Sequence, residues 1–232
     1  GLAVLGTGIP AGATIASITD GTHFELSVST TGGNLTGQTL TFYTNVADKN
    51  IAIGNYTLDA TTTGYENVAI GHSAGTAINS GYRNVFIGRE SGGACTDNYD
   101  NIAIGNYAFD AANTGEHDNV AIGVYALSSE TSGSDGNVAI GSDALKNQNR
   151  ADSANTAIGR NALSTLGSGV TYGGKNNTAV GYNAGGGGVF GGSADGGSNV
   201  YGSDNTLAGY QAGYAITTGQ DNVIAGSLAG DA

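Results

Sequence analysis

Ten times between residues 50 and 226 the chain repeats one short phrase: Asn, an apolar residue or Thr, two more small or apolar residues, then Gly. Asn101-Ile102-Ala103-Ile104-Gly105 is a representative copy. The Asn and Gly of the ten copies are Asn50 and Gly54, Asn67 and Gly71, Asn84 and Gly88, Asn101 and Gly105, Asn119 and Gly123, Asn137 and Gly141, Asn155 and Gly159, Asn177 and Gly181, Asn205 and Gly209, and Asn222 and Gly226. Successive copies start 17, 17, 17, 18, 18, 18, 22, 28 and 17 residues apart. So short and regular a period excludes an ordinary globular core and predicts stacked coils, each too small to bury its apolar residues alone.

Ile102, Ala103 and Ile104 contain no polar member, and two of the three are β-branched, which predicts a strand. Neighbouring side chains in a strand point to opposite faces, so Ile102 and Ile104 share one face and Ala103 takes the other. A second short segment, Tyr107-Ala108-Phe109, brings each coil to about seven or eight strand residues before Thr- and Gly-rich turns such as Asn113-Thr114-Gly115 close it. The larger face is expected inside the coil. The row Ala52, Ala69, Phe86, Ala103, Ala121, Ala139, Ala157 and Ala179 is then expected outside, against other copies of the chain. The Asn column predicts a ladder of stacked amides, and the Gly column predicts sharp turns or close backbone approach.

Three segments follow. Residues 1–48 lack the repeat. Within them Leu2–Leu5 predicts a strand, Thr14–Thr19 and His23–Val28 flank an Asp20-Gly21 hairpin signal, and Leu40–Thr44 predicts another strand. This reads as a small β connector or cap module. Residues 49–165 are the regular repeats, and residues 166–232 are irregular repeats with two insertions, Leu166–Asn176 and the Gly-rich Gly185–Asp204. The last two copies read Leu207-Ala208-Gly209 and Ile224-Ala225-Gly226. There each face should take the opposite size of residue, with altered packing near the C-terminal end.

The net charge of −12 argues against nucleic acid and anionic membrane surfaces as partners. No run of about 20 apolar residues predicts membrane insertion. The 42 Gly are periodic, which distinguishes this chain from a disordered Gly-rich one. The chain contains no Met, which suggests a processed product or part of a longer chain. Cys95 is the lone cysteine and allows no disulfide within the chain.

Chemistry is sparse. Gly6-Thr7-Gly8-Ile9-Pro10-Ala11 matches a dinucleotide fingerprint in letters, but Pro10 lies inside it and a strand pattern follows where a helix is needed. Gly185–Gly188 lacks the Lys and Ser/Thr of a phosphate loop. Gly191–Gly197 with Asp204 has a calcium-loop composition in a single, wrongly spaced copy, so a surface insertion is the expected reading. His23, His72 and His117 share no zinc spacing. Asp97, Asp100, Asp110, Glu116 and Asp118 fall in turns, where Asp has a local structural use, rather than as a catalytic pair. Tyr56, Tyr107, Tyr125, Tyr182 and Tyr210 are expected to pack between coils rather than stack on sugars. No catalytic residue, cofactor or metal is expected.

The phrase Asn-x-Ala-Ile-Gly-x-x-Ala-Leu, intact at Asn119–Leu127, Asn137–Leu145 and Asn155–Leu163, resembles the left-handed parallel β-roll head of trimeric autotransporter adhesins. With the 17–18-residue period and the turns at Thr61–Gly64 and Thr217–Gly219, it resembles bacteriophage tail-fibre proteins more closely. The resemblance implies an all-β parallel β-roll or β-solenoid of about ten coils, assembled as a homotrimer. It further implies a virion location and a non-catalytic structural and adhesive role in host attachment. The implied partners are other fibre or baseplate proteins and a host surface glycan or protein. A bacterial surface adhesin head and a polysaccharide-degrading tailspike are the alternatives.

Overall fold

The computed structural model describes residues 3–5, 15–20, 23–26, 41–43, 49–112, 114–129, 135–148, 154–166, 172–187, 191–192, 202–216 and 219–230. The chain divides into two units, Gly1–Val46 and Ala47–Ala232. In the first, strand β1 (Ala3–Leu5) pairs antiparallel with β4 (Thr41–Tyr43), and β2 (Ile15–Asp20) pairs antiparallel with β3 (His23–Leu26). The second pairing is the one the Asp20-Gly21 signal predicts, with two register shifts along it.

The second unit is a β-solenoid. Its first seven strands are β5 (Ile51–Ile53), β6 (Val68–Ile70), β7 (Val85–Ile87), β8 (Ile102–Ile104), β9 (Val120–Ile122), β10 (Val138–Ile140) and β11 (Thr156–Ile158). Then come β12 (Tyr172–Gly173), β13 (Thr178–Val180), β14 (Gly191–Gly192), β15 (Thr206–Ala208) and β16 (Val223–Ala225). All but β12 and β14 form one ten-stranded parallel sheet, each strand beside its sequence neighbour's equivalent and in register. The insertions before β13 and β15 pair with each other: β12 lies antiparallel to β14, with Tyr172 opposite Gly192 and Gly173 opposite Gly191.

The strand is only three residues long in every coil of this sheet. Tyr107–Phe109 is not a second strand, because Tyr107 and Phe109 have φ of 55° and 54°. Axial bonding continues through this turn all the same: Tyr107 N–H donates to Arg89 O at 2.9 Å, and Phe109 N–H donates to Ala126 O at 3.0 Å. Left-handed backbone recurs at three positions of every coil. They are the residue before the motif Asn, and the second and fourth residues after the motif Gly, thirty sites in all. None of the thirty carries Val, Ile or Thr, although these residues abound elsewhere. A branched Cβ is the group least tolerated at positive φ, so its exclusion follows from the backbone.

The faces of the strand are the reverse of the sequence expectation. Ala69, Phe86, Ala103, Ala121, Ala139, Ala157 and Ala179 are fully buried inside the coils, while the flanking Ile and Val residues lie outside, half-buried or exposed. The cause is the Asn. Asn101 is buried, and the alternation of a strand puts Ala103 on the same inward side, which turns Ile102 and Ile104 outward. A coil this narrow also has room at the strand for only a small residue, because Phe109 or Leu127 reaches across from the facing turn.

The Asn ladder runs unbroken in backbone contacts. Asn101 Oδ1 accepts from the backbone N–H and the side-chain amide of Asn119 at 3.0 and 3.2 Å. Asn101 Nδ2 donates to Asn84 Oδ1 at 3.2 Å and to Glu116 O at 2.8 Å. The same backbone link joins Asn50 to Asn67 at one end and Asn205 to Asn222 at the other. In the Gly column, Gly105 has φ of 139°, a region open essentially to Gly alone. Space demands Gly independently: a Cβ on Gly71 would lie 2.6 Å from Gly88 O, with equally tight contacts from Gly54 to Gly209.

The size exchange expected in the last coils is present. Leu207 pairs with Ala179 and Ile224 with Leu207, in the core column, while Ala208 and Ala225 lie outside. Strand register is unchanged. Space comes instead from Gly213 and Gly230, where a Cβ would lie 2.7 Å from Leu207 Cδ2 and 2.8 Å from Ile224 Cδ1. Phe86 and Gly92 make the same exchange earlier, with 2.7 Å between the ring and a Cβ on Gly92.

Candidate interaction surface

Because the small column faces inward, the outside of the ten-stranded sheet is a double column of uncharged side chains, aliphatic at all but three positions. One column runs Ile51, Val68, Val85, Ile102, Val120, Val138, Thr156, Thr178, Thr206, Val223; the other runs Ile53, Ile70, Ile87, Ile104, Ile122, Ile140, Ile158, Val180, Ala208, Ala225. None of the twenty is charged, in a chain with 26 formally charged side chains. Ile51, Ile53, Ile102, Ile158, Val180 and Val223 are exposed outright. Nine steps of about 4.8 Å make the ladder about 43 Å long. Its strands are three residues long, about 10 Å, so the ladder presents on the order of 400 Å², about half of the ~800 Å² that one partner buries in a standard interface.

Aromatic columns flank the ladder in sequence. Before the strands, Tyr65, Tyr82, Tyr99 and His117 form a continuous stack with centroid spacings of 4.9, 5.0 and 4.7 Å. After them, Tyr107 stacks on Tyr125 at 5.2 Å and Tyr182 on Tyr210 at 5.6 Å, while Tyr56 meets the edge of His72. Arg83, Arg89 and Lys146 sit over Tyr82, Tyr107 and Tyr125 at 4.8, 5.5 and 4.8 Å. Tyrosine packing between coils is therefore what the structure contains. Tyr56, Tyr125, Tyr182 and Tyr210 nevertheless remain exposed, and each ring of the Tyr182–Tyr210 stack keeps one face open. Burial pushes the phenols of Tyr99 and Tyr107 up from their ordinary value.

The titratable groups serve the stack of coils. Asp100 forms a two-pronged ion pair with Arg83 of the preceding coil, and this hydrogen bond holds its carboxyl below the usual range. Asp97 accepts from Gly115 N–H at 2.8 Å, and buried Glu116 accepts from Asn98 Nδ2. His117 lies between Asp118 at 3.0 Å and Asp135 at 3.3 Å. His72 bonds Ser73 at 3.1 Å, and His23 lies in β3. Asp110 differs: burial pushes it up to about 6, and its Oδ1 has no hydrogen-bond partner. Cys95 is fully buried 3.9 Å from Phe109 O, and burial raises its thiol well above the ordinary value, which suppresses thiolate chemistry.

Among the described residues, no group of three or more His, Cys, Asp or Glu side chains is placed to hold a metal ion, and no helix is long and apolar enough to cross a membrane. Gly185 and Gly186 are buried between coils, and Gly185 N–H donates to Ala212 O at 2.9 Å. The fingerprint at Gly6–Ala11 and the acidic part of the segment Gly191–Gly197 lie outside the described residues. Compared with protein-family models, with curated proteins and with solved structures, the chain matches none. The exposed double column was not anticipated from the sequence, although the buried Asn carried the signal.

Proposed function

We propose that this chain is a structural and adhesive segment of a homotrimeric phage tail fibre, acting in host attachment on the virion and without catalysis. The observation that carries the reading is the uncharged aliphatic ladder along the whole sheet. Left in water it would expose one contiguous apolar strip well beyond the normal scatter of single surface residues. A partner must match it in length, width and axial repeat, and an identical chain has all three. The earlier expectation of contact between copies is thus kept, with the Ile and Val columns in place of the Ala column.

The adhesive part rests on the paired insertions around β12 and β14, which depart from the regular coils at successive turns. Insertions on a solenoid are where binding groups accumulate on a rigid scaffold. The test is retention of the fluorescently labelled full chain by bacterial cells and by their purified surface polysaccharides. Binding without shortening of the polymer is expected, with loss of binding when residues 188–201 are replaced by a short Gly-Ser linker. Absence of binding to any cell would leave only a scaffold role. Progressive shortening of the polysaccharide would contradict the non-catalytic reading.

A further inference from the structure

The aliphatic ladder is not uniform along its length. Its first column is Ile or Val through β10, then Thr156, Thr178 and Thr206 stand side by side on β11, β13 and β15, and Val223 follows on β16. These three hydroxyls are the only polar side chains among the twenty positions. They occupy the seventh to ninth strands of ten, well away from the midpoint.

A repetitive apolar strip has a specificity problem. Copies can meet parallel or antiparallel, or slipped by a coil, and each arrangement buries similar area, just as a featureless strand pairing is prone to slip. A short polar band within an apolar contact removes this degeneracy, because it is satisfied only when it meets its own kind. Three parallel copies in step, each with its first column turned to the common axis, bring the three threonines of every level together, so each hydroxyl has a hydroxyl to donate to or accept from. Antiparallel copies place Thr156, Thr178 and Thr206 against Ile102, Val85 and Val68 of β8, β7 and β6. A one-coil slip leaves a hydroxyl at each end of the band facing an aliphatic group. In either case buried hydroxyls lose water without gaining a partner.

We propose that the threonine band of β11, β13 and β15 selects the parallel, in-step arrangement of copies along the ladder. This rests on the assembly reading above and adds what sets its polarity. The experiment places one spin label per copy at Ser227→Cys in a Cys95→Ala background of the full chain. The exposed Ser227 lies near the end of the solenoid, so parallel copies bring labels together and antiparallel copies separate them by about 40 Å more.

The expected result is one short distance population and one mass for the labelled chain with its threonines intact. The Thr156→Val/Thr178→Val/Thr206→Val variant should gain a second, long population or species of higher mass from slipped copies that cannot close a ring. These substitutions keep shape and strand preference, so the coils still fold. The Thr156→Ser/Thr178→Ser/Thr206→Ser variant retains the hydroxyls and should keep the single short distance. A valine variant indistinguishable from the threonine chain in both readouts would overturn the proposal. So would a long population in the threonine chain itself. A monomeric threonine chain would overturn the assembly reading and this inference with it.

Discussion

The coil that starts at Asn101 and the coil that starts at Asn205 carry the same backbone and opposite cores. In the first, the strand contributes Ala103 and the facing turn contributes Phe109; in the second, the strand contributes Leu207 and the turn contributes Gly213. Both hold a buried Asn in the ladder and a motif Gly near φ 136–139°, and both keep their strands in register with their neighbours. The polar and glycine columns therefore define the coil, while the core requires only that the total volume come out right. Side chains across a narrow interior can trade size, whereas backbone geometry and buried amides cannot be traded.

Breaking a shared element should have the largest effect. Gly105→Ala forces a Cβ into Gly123 at a φ that L residues avoid, and should cost at least ~4 kcal/mol in denaturant unfolding followed by circular dichroism. Gly226→Ala keeps the strained φ but meets only Ala229 Cβ at 3.7 Å, so it should cost about half as much or less. Equal losses at the two sites would show that strain alone, without stacking contact, explains the column.

Removing one rung of the shared ladder comes next. Asn101→Ala deletes an amide that serves Asn84, Asn119 and Glu116, leaving several buried groups without partners. It should cost about 3–5 kcal/mol. A loss under 1 kcal/mol would mean that the coils are held by apolar burial with little help from the ladder.

The exchanged element gives a test with a smaller net result. Leu207→Ala should cost about 2–4 kcal/mol through the cavity it leaves. Gly213→Leu alone should cost about 1–3 kcal/mol by overpacking against Leu207 and Ile216. Leu207→Ala/Gly213→Leu, which converts this core pair to the small-strand, large-turn arrangement, should recover most of both losses. Additive losses in the double-mutant cycle would refute the volume exchange.

The smallest effect concerns position 110, where the Asn101 coil has Asp110 and the Asn205 coil has Tyr214. Asp110 is raised to about 6 by burial, so the folded form binds its proton more tightly than the unfolded chain. Its charge therefore weakens the fold above pH 6, and the penalty is relieved as pH falls from about 6 to about 4. Asp110→Asn should stabilise by about 1 kcal/mol at pH 8 after allowance for partial exposure, with the gain fading toward pH 4. Asp100 acts in the opposite sense, since its ion pair with Arg83 is lost as pH falls through its depressed value.

Much of this architecture was legible in the spacing. The ten-strand parallel stack and the amide ladder follow from a 17–18-residue period and an Asn at every start. The β2–β3 hairpin was legible around Asp20-Gly21. The inside of the strand was misread because larger aliphatics were assigned to the core by size. Placing the buried Asn first and then stepping by two would have put Ala103 inside and Ile102 and Ile104 outside. Tyr107–Phe109 was misread as a strand because apolar runs do not reveal φ. The telling sign was the repeated Gly at the fourth residue after the motif Gly, at Gly75, Gly92, Gly185, Gly213 and Gly230, together with the absence of β-branched residues there. The pairing of β12 with β14 joins two Gly-rich insertions with no alternating pattern, so nothing in their composition announces it.

The central claim is that the aliphatic ladder is covered by other copies of the chain, and sedimentation equilibrium of the full chain at micromolar concentration tests it most directly. The predicted mass is three times the 22.8 kDa of one chain, falling to a single chain when Ile104 and Ile122 are replaced by Asp on the outer face. A folded chain that sediments at 22.8 kDa with its ladder intact would contradict it.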